Sequence, residues 1–433
     1  MSRFLFTTFG SLGDLHPYIA VARSLVERGH KAVLATTEEY RLAVEGAGVE
    51  FVAIRPSMAE LGDHQTMITK LFDVRRGPEY LMRHLVMPYV KSSYEHLLQA
   101  SDGADLLISH PLTVTLPLVA QRLELPWVST VLSPMSFMSN FDPPVIAAAP
   151  WLKKLRIFGP KPYRLLFSLF KRGVRSWEAP LRDFRDKLGL PPSNQMAMFE
   201  GQFSPLRNLA LFDTQLAQPQ PDWPVNTRVC GSPIFDGAIQ DDDGILENLE
   251  HFLSEGEAPI VFALGSAAVW MAGDFWDNAV AAVWHMGRRA ILVTGPTMPK
   301  SLPESVKAFP YLPYSKVFPR AAAIVHQAGI GTLAQAMRAG RPQLIVPVAF
   351  DQPDNAQRAT SLGLGRILPF RKITTRRLVS ELDSLLTCAS YEQMARSIAN
   401  DLAKTDGAAC AGNELIACTC LGRPAKNYHE RTT

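Results

Sequence analysis

The string with the greatest chemical content is His326-Gln327-Ala328-Gly329-Ile330-Gly331-Thr332, which follows the apolar run Ala321 to Val325 and opens a helical pattern. Glycines at a strand-to-helix turn let the backbone come close to a ligand, and the unpaired N–H groups of the helix start attract a diphosphate. The imidazole of His326 can donate a further hydrogen bond to a phosphate oxygen. Asp351 and Gln352 end the next strand pattern and supply the acceptor and donor that sugar hydroxyls require. Structural readings stand beside these: His326 as a satisfied buried histidine at a strand end, Asp351 as a helix cap before Pro353. His110, before Pro111 at another strand end, has no partner that the sequence identifies.

Residues so far apart need strands that end at a common edge. Residues 3–9, 15–28 and 32–36 read as strand, helix and strand, with Leu15, Ile19, Val21, Ala22 and Leu25 at helical spacing. Further strands are predicted at 50–54, 105–109 and 127–132, the pattern of a parallel sheet covered on both faces. From about 205 to 240 the periodicity lapses into Pro- and Asp-rich sequence, including Pro219, Pro221, Pro224 and the run Asp241-Asp242-Asp243, which reads as an interdomain linker. A second series opens with Ile260-Val261-Phe262-Ala263-Leu264-Gly265-Ser266, echoing Phe6-Thr7-Thr8-Phe9-Gly10-Ser11. Strands at 290–294, 322–326 and 343–348 then alternate with helices near 274–287, 331–339 and 353–361. The expectation is two Rossmann-like α/β halves, divided as 1–225 and 226–433, facing one another across a crevice at the carboxyl ends of their strands.

Composition agrees with this plan. The chain has 433 residues, 47% hydrophobic and 20% charged, enough for two domains of roughly 200 residues and unlike a disordered or fibrous protein. A net charge of +3 gives no reason to expect nucleic acid as a partner. The five cysteines lack paired spacing and read as reduced thiols of a cytoplasmic protein. No leader and no membrane-spanning run of about eighteen apolar residues is expected, and no metal-site spacing is found.

The joint pattern over residues 311–368 resembles the donor-binding signature of family 1 glycosyltransferases, which have the two-domain GT-B fold and bind a nucleotide-diphosphate sugar between the domains. That resemblance implies an N-terminal domain for the acceptor, a C-terminal domain for the nucleotide sugar, and no resident cofactor. Carried over by position, it makes His326 a phosphate ligand, Gly329, Gly331 and Thr332 the phosphate loop, and Asp351 and Gln352 sugar contacts. Ser266 and Pro313, the latter in Tyr311-Leu312-Pro313, join the donor site. Ala328 stands where glycine is common. Gln335 stands where a glutamate often holds the ribose, which disfavours a charge-assisted pair and is friendlier to dTDP than to UDP.

Gly10-Ser11-Leu12-Gly13-Asp14-Leu15-His16-Pro17 is similar to a loop of bacterial members whose aspartate faces the acceptor hydroxyl. An inverting transfer needs a base there; Asp14 is the candidate and His16 the alternative. By local sequence alone, Asp14 reads as a cap on the helix that begins near Leu15.

Ser133, Met135 and Phe137, in a Met- and Phe-rich stretch after a strand end, are expected to line an apolar acceptor pocket. Residues 151–175 hold eight Lys or Arg and no acid, alternating with large apolar residues. Two readings are open: an interfacial segment against a membrane's inner face, or an amphipathic helix packed on the domain with solvated cations. Within the family, the Ser-Pro segment before Pro143-Pro144 and the string Pro221-Asp222-Trp223-Pro224 are most similar to rhamnosyltransferases of bacterial rhamnolipid synthesis, implying dTDP-rhamnose and a hydroxyalkanoyl lipid. Polyketide, flavonoid or sterol acceptors, or a non-catalytic auxiliary role, are the alternatives.

Overall fold

The structure, a computed structural model, describes residues 1–237, 244–299 and 301–421. The acidic run Asp241–Asp243 expected in the linker lies outside the described residues. Seven parallel strands make the first sheet: β1 (Arg3–Thr7), β2 (Lys31–Thr36), β3 (Glu50–Ala53), β4 (Leu106–Ser109), β5 (Trp127–Val131), β6 (Asn208–Ala210) and β7 (Thr227–Val229), in the order β3-β2-β1-β4-β5-β6-β7. Six more make the second: β8 (Ile260–Ala263), β9 (Ala290–Val293), β10 (Val306–Phe309), β11 (Ala323–His326), β12 (Gln343–Ile345) and β13 (Gly365–Ile367), in the order β10-β9-β8-β11-β12-β13. Both are doubly wound. Their strands are buried on both faces, which is why Phe4-Leu5-Phe6 and Ile260-Val261-Phe262 read as unbroken apolar runs rather than alternating ones.

Two features depart from the expected plan. The stretch 205–240 is not linker throughout, because β6 and β7 lie in it, β6 pairing with β5 and β7 with β6. The first sheet therefore continues past residue 225, where the sequence divides the halves. Strands of three residues are too short to show a period, and the prolines between them dominate the local signal. The final helix, Gly407–Leu421, returns to the first half: Ala411, Leu415 and Cys418 join Phe4, Leu15 and Ile19 in one core, and Arg28 donates to Asn413 Oδ1 at 2.8 Å.

The halves are also tied by charge. Arg358, on the helix Gln352–Ser361, pairs with Asp142 of the first half at 2.6 Å and with its own neighbour Asp354 at 2.8 Å. The other oxygen of Asp354 accepts from the Val145 N–H at 2.8 Å. Removing one partner from so buried a pair leaves an uncompensated charge, typically a loss of about 3–5 kcal/mol.

Candidate active site between the halves

In the first half the order of strands reverses between β1 and β4, so the loops leaving these two strands diverge and open a crevice. Gly10 follows β1 with φ at 141°, and a Cβ there would lie 2.3 Å from Asp14 Oδ2. Only glycine lets the aspartate fold back over the turn. Asp14 Oδ2 then accepts from the Ser11 N–H at 2.8 Å and from Ser11 Oγ at 3.0 Å, while Ser11 Oγ accepts from the Gly13 N–H at 3.2 Å. This is a capping box on the helix Leu12–Val26.

The second oxygen of Asp14 is used differently. It lies 3.3 Å from His110 Nε2, at the end of β4. The Leu112 N–H donates to His110 Nδ1 at 3.1 Å, which puts the proton on Nε2 and makes that nitrogen the donor to Asp14. The aspartate side chain is 31% exposed and the histidine 3%, so a ligand reaches the carboxylate but not the imidazole. Cap and candidate base, alternatives in the sequence, are divided between the two oxygens of one side chain. His110 is a functional partner that the sequence did not identify, because the contact spans ninety-six positions.

The second half repeats the geometry with other residues. Gly265 follows β8 with φ at 70°, and a Cβ on it would lie 2.2 Å from Gln327 Nε2. Gln327 is buried and donates weakly to Thr332 Oγ1 at 3.4 Å, while its Oε1 has no partner. His326 corrects the expectation of a phosphate contact. It is wholly buried, its Nδ1 accepts from the Ala328 N–H at 3.1 Å, and Nε2 meets Gln343 Oε1 of β12 at 3.0 Å. Burial pushes its pKa down to about 4, so it stays neutral and faces the core. The residue beside it, Gln327, points the other way and was missed; at a strand end successive side chains alternate faces, and that period was the available signal. Ala328 takes the left-handed conformation, φ 64°, which favours glycine.

An interdomain cleft is lined by both halves. It brings together His16, Ser266, Gly331, Thr332 and Gln335 of the expected residues, with Gly13, Tyr311 and Leu312. The first turns of the helices Leu12–Val26 and Ile330–Ala339 approach so closely that a Cβ on Gly331 would lie 3.8 Å from Gly13 Cα. Two positive helix ends thus meet at one cleft. His16 packs edge-on against Phe235 at 5.2 Å; burial lowers its pKa to about 4, with Asp236 pulling it partly back. Gln335 donates to Asp236 Oδ1 at 3.1 Å, a carboxylate the sequence did not single out. Gly329 caps the helix behind this lining, and Pro313 caps the short helix after Leu312.

Asp351 accepts from Asn355 Nδ2 at 2.8 Å. Its carboxyl is pushed up to about 7, first by burial, with the negative charge of Asp14 adding to the shift. Two carboxylates from opposite halves therefore sense each other. Gln352 uses its oxygen to hold the preceding loop, accepting from Val348 at 2.9 Å and Ala349 at 3.3 Å.

The expected acceptor residues stand elsewhere. Phe137 stacks on Trp223 at 4.1 Å within a buried aromatic cluster, Ser133 is buried, and none of Ser133, Met135 and Phe137 lines either cavity described here. Asp222 accepts from Ser139 Oγ and the Asn140 N–H, each at 2.6 Å. The two strings that resemble rhamnolipid enzymes thus pack on one another. A second, small pocket lies next to the Asp14–His110 pair: Phe9 precedes Gly10, Leu112 to Thr115 follow His110, and Ile54, Leu85, Val86 and Tyr89 complete its apolar wall. Among the described residues no group of three His, Cys, Asp or Glu is placed to hold a metal, and no helix is long and apolar enough to cross a membrane.

Comparison with known proteins gives a consistent result. Residues 4–93 match the glycosyltransferase family 28 N-terminal domain, and residues 291–416 the C-terminal domain of erythromycin biosynthesis protein CIII-like proteins. The chain is 31% identical to the O-mycaminosyltylonolide 6-deoxyallosyltransferase of Streptomyces fradiae, over 94% of each protein. It is 28% identical to a sterol 3-beta-glucosyltransferase of Yarrowia lipolytica over 90% of its own length but 27% of that protein's. The solved structure of the glycosyltransferase VinC in complex with dTDP superposes with a TM-score of 0.68 at 20% identity, covering 97% of this chain and 100% of that one.

Proposed function

Because the chain belongs to the family 1 glycosyltransferases of the GT-B fold, we propose that it moves a hexose, a deoxyhexose in particular, from a dTDP-sugar to a hydroxyl of a hydrophobic acceptor. The transfer inverts the anomeric centre and needs no metal or resident cofactor. The observation that carries this reading is Asp14: one carboxylate oxygen is fixed by the cap, the other is held by His110, and the partly exposed side chain sits in the first helical turn between Gly13 and His16, both of which line the interdomain cleft.

The acceptor hydroxyl attacks the anomeric carbon as its proton passes to Asp14, and the bond from that carbon to the diphosphate oxygen breaks. His110 keeps the carboxylate oriented and stabilised by its N–H. The negative charge that grows on the departing diphosphate meets the N–H groups of Gly331 and Thr332 and the Gln327 amide, which replace a metal in that role. Asp351 and Gln352 sit at the sugar. His16, neutral near pH 7, lines the cleft as a second acceptor of protons; it packs on Phe235, and among the described residues it has no hydrogen bond like the one His110 gives Asp14.

The relatives' names support a macrolide- or sterol-like acceptor and a deoxysugar donor. A hydroxyalkanoyl lipid is the second reading, favoured by the exposed apolar and cationic surface at residues 151–172. A cytoplasmic location fits the five free cysteines. The test is thermal melting with dTDP, UDP and their sugars, followed by product analysis on macrolide, sterol and hydroxyalkanoyl acceptors. Saturation a hundredfold above Kd stabilises the native state by about 2.7 kcal/mol. Selective stabilisation by dTDP ligands is expected; stabilisation by UDP ligands alone, or by neither, overturns the donor assignment.

A further inference from the structure

We propose that the face built from residues 150–175 docks this protein on a bilayer containing anionic lipid. This does not depend on which donor or acceptor is used. Pro150–Phe158 forms short helical turns and Pro160–Val174 a helix, joined by a hydrogen bond from Tyr163 to the Leu152 carbonyl at 2.6 Å. One side of the helix is accounted for by packing, since Tyr163, Phe167 and Val174 are buried. The other side is not. Among the described residues fifteen large apolar side chains are exposed, and six of them, Trp151, Ile157, Phe158, Leu165, Leu169 and Phe170, fall in this one segment. Single exposed apolar residues are ordinary, but a cluster marks a surface that something covers. Ile157 is 82% exposed and Phe158 66%.

Charge identifies the occupant. Lys153, Lys154, Arg156, Lys161, Arg164, Arg172 and Arg175 are all exposed in the same segment, which holds no acid. Lys171 is neutralised by Glu200, Lys153 reaches Gln357 Oε1 at 3.1 Å, and Arg156 reaches the Pro143 carbonyl and lies 4.0 Å from Asp142 Oδ1. Among the described residues the remaining cations have no carboxylate in an ion pair with them. On the outward side of the helix, Leu165 and Leu169 are interleaved with Lys161, Arg164 and Arg172. A protein interface gathers its apolar residues centrally and excludes lysine from that centre. Interleaving suits a lipid interface, where apolar side chains enter the acyl boundary while cations reach up to the headgroups. The contacts of Lys153 and Arg156 place this surface beside the helix Gln352–Ser361 and the loop at Asp142, where the two halves are tied together.

The experiment is sedimentation of the full chain with phosphatidylcholine vesicles, with and without phosphatidylglycerol, at low and at physiological salt. Binding to the anionic vesicles is expected to be at least about tenfold tighter than to neutral ones and to weaken with salt. Ile157→Asp with Phe158→Asp, and separately Leu165→Glu with Leu169→Glu, are expected to lower it about tenfold with the melting temperature and dTDP binding unchanged. Three results would overturn the proposal: no sedimentation with either vesicle, binding that these pairs of substitutions leave intact, or a concentration-dependent dimer, abolished by the same substitutions, in place of vesicle binding.

Discussion

His110 and His326 end the fourth strand of their respective sheets and make the same first hydrogen bond. In each, Nδ1 accepts from the backbone N–H two residues later, at 3.1 Å. The bond shapes the turn and fixes the proton on Nε2. From there the two halves diverge. In the first, Nε2 turns to the carboxylate of Asp14, which is partly exposed; in the second, Nε2 turns to Gln343 inside the core. One backbone device thus points to an accessible carboxylate in one half and to a buried amide in the other. What separates the roles is the partner of the second nitrogen, a contact supplied by a neighbouring strand.

Breaking the reactive end of the first device should have the largest effect. Asp14→Asn keeps the shape and an oxygen for the cap but removes the base, and kcat is expected to fall about 10²–10⁴-fold with dTDP affinity unchanged. Steady-state kinetics beside dTDP titration checks this; retained turnover would remove Asp14 from the mechanism and leave His16 to be tested. The histidines come next. His110→Ala should lower kcat about tenfold to a hundredfold and shift the pH profile, with a modest change in stability. His326→Ala should do the reverse, costing about 2–4 kcal/mol in denaturant unfolding through the cavity and the unpaired Gln343. Equal kinetic losses in both would erase the distinction between the halves.

The strands explain how much of this was legible beforehand. Runs such as Phe4 to Phe6, Ile260 to Leu264 and Ala323 to Val325 are unbroken, apolar and buried on both faces, so they appear in the sequence as strands, and the glycines after them appear as turns. β6, β7 and β13 have three residues each and leave no period to read. Within the site, Ser266, Thr332 and Gln335 were identifiable from their place in a local motif. His110 and His326 carry the same local signal, a histidine at a strand end, and the expected phosphate contact falls on the one that the structure buries against Gln343. The deciding information is three-dimensional: Asp14 is ninety-six positions from His110, Gln343 seventeen from His326. Asp236 was hidden for a similar reason, its partner Gln335 being ninety-nine positions away.

The glycines that follow β1 and β8 sharpen the contrast with matched substitutions. Gly10 makes room for Asp14 and Gly265 for Gln327, each with an added Cβ falling within 2.3 Å of the side chain it accommodates. Gly10→Ala should therefore displace the base and appear in kcat, while Gly265→Ala should displace the amide beside the phosphate loop and appear in donor affinity. A loss of about ten- to thirtyfold is expected in each case, the cost of misplacing a group by about 1 Å. Initial rates at saturating donor, set beside dTDP titration, separate the two outcomes. If both variants lose only affinity, Gly10 serves the diphosphate rather than the base.

The smallest effect expected concerns charge. At its switch point the first half presents a carboxylate, while the second presents amides, Gln327 and Gln335, and leaves the nearby negative charge to Asp236 in the segment joining the halves. Gln335 holds that carboxylate by donating to it at 3.1 Å. Gln335→Glu would convert the donor into a second acceptor and set two negative charges at hydrogen-bond distance, in a cleft that must also receive a diphosphate. Like charges so placed cannot both ionise comfortably. The substitution should therefore weaken dTDP binding, by about tenfold. Adding Asp236→Asn returns one donor and one charge to the pair and should recover most of the loss. Titration of dTDP into the single and double variants decides the matter: a Gln335→Glu protein that binds more tightly than the parent would show that Asp236 is turned away from the nucleotide, and that the second half tolerates the charge on which the first half depends.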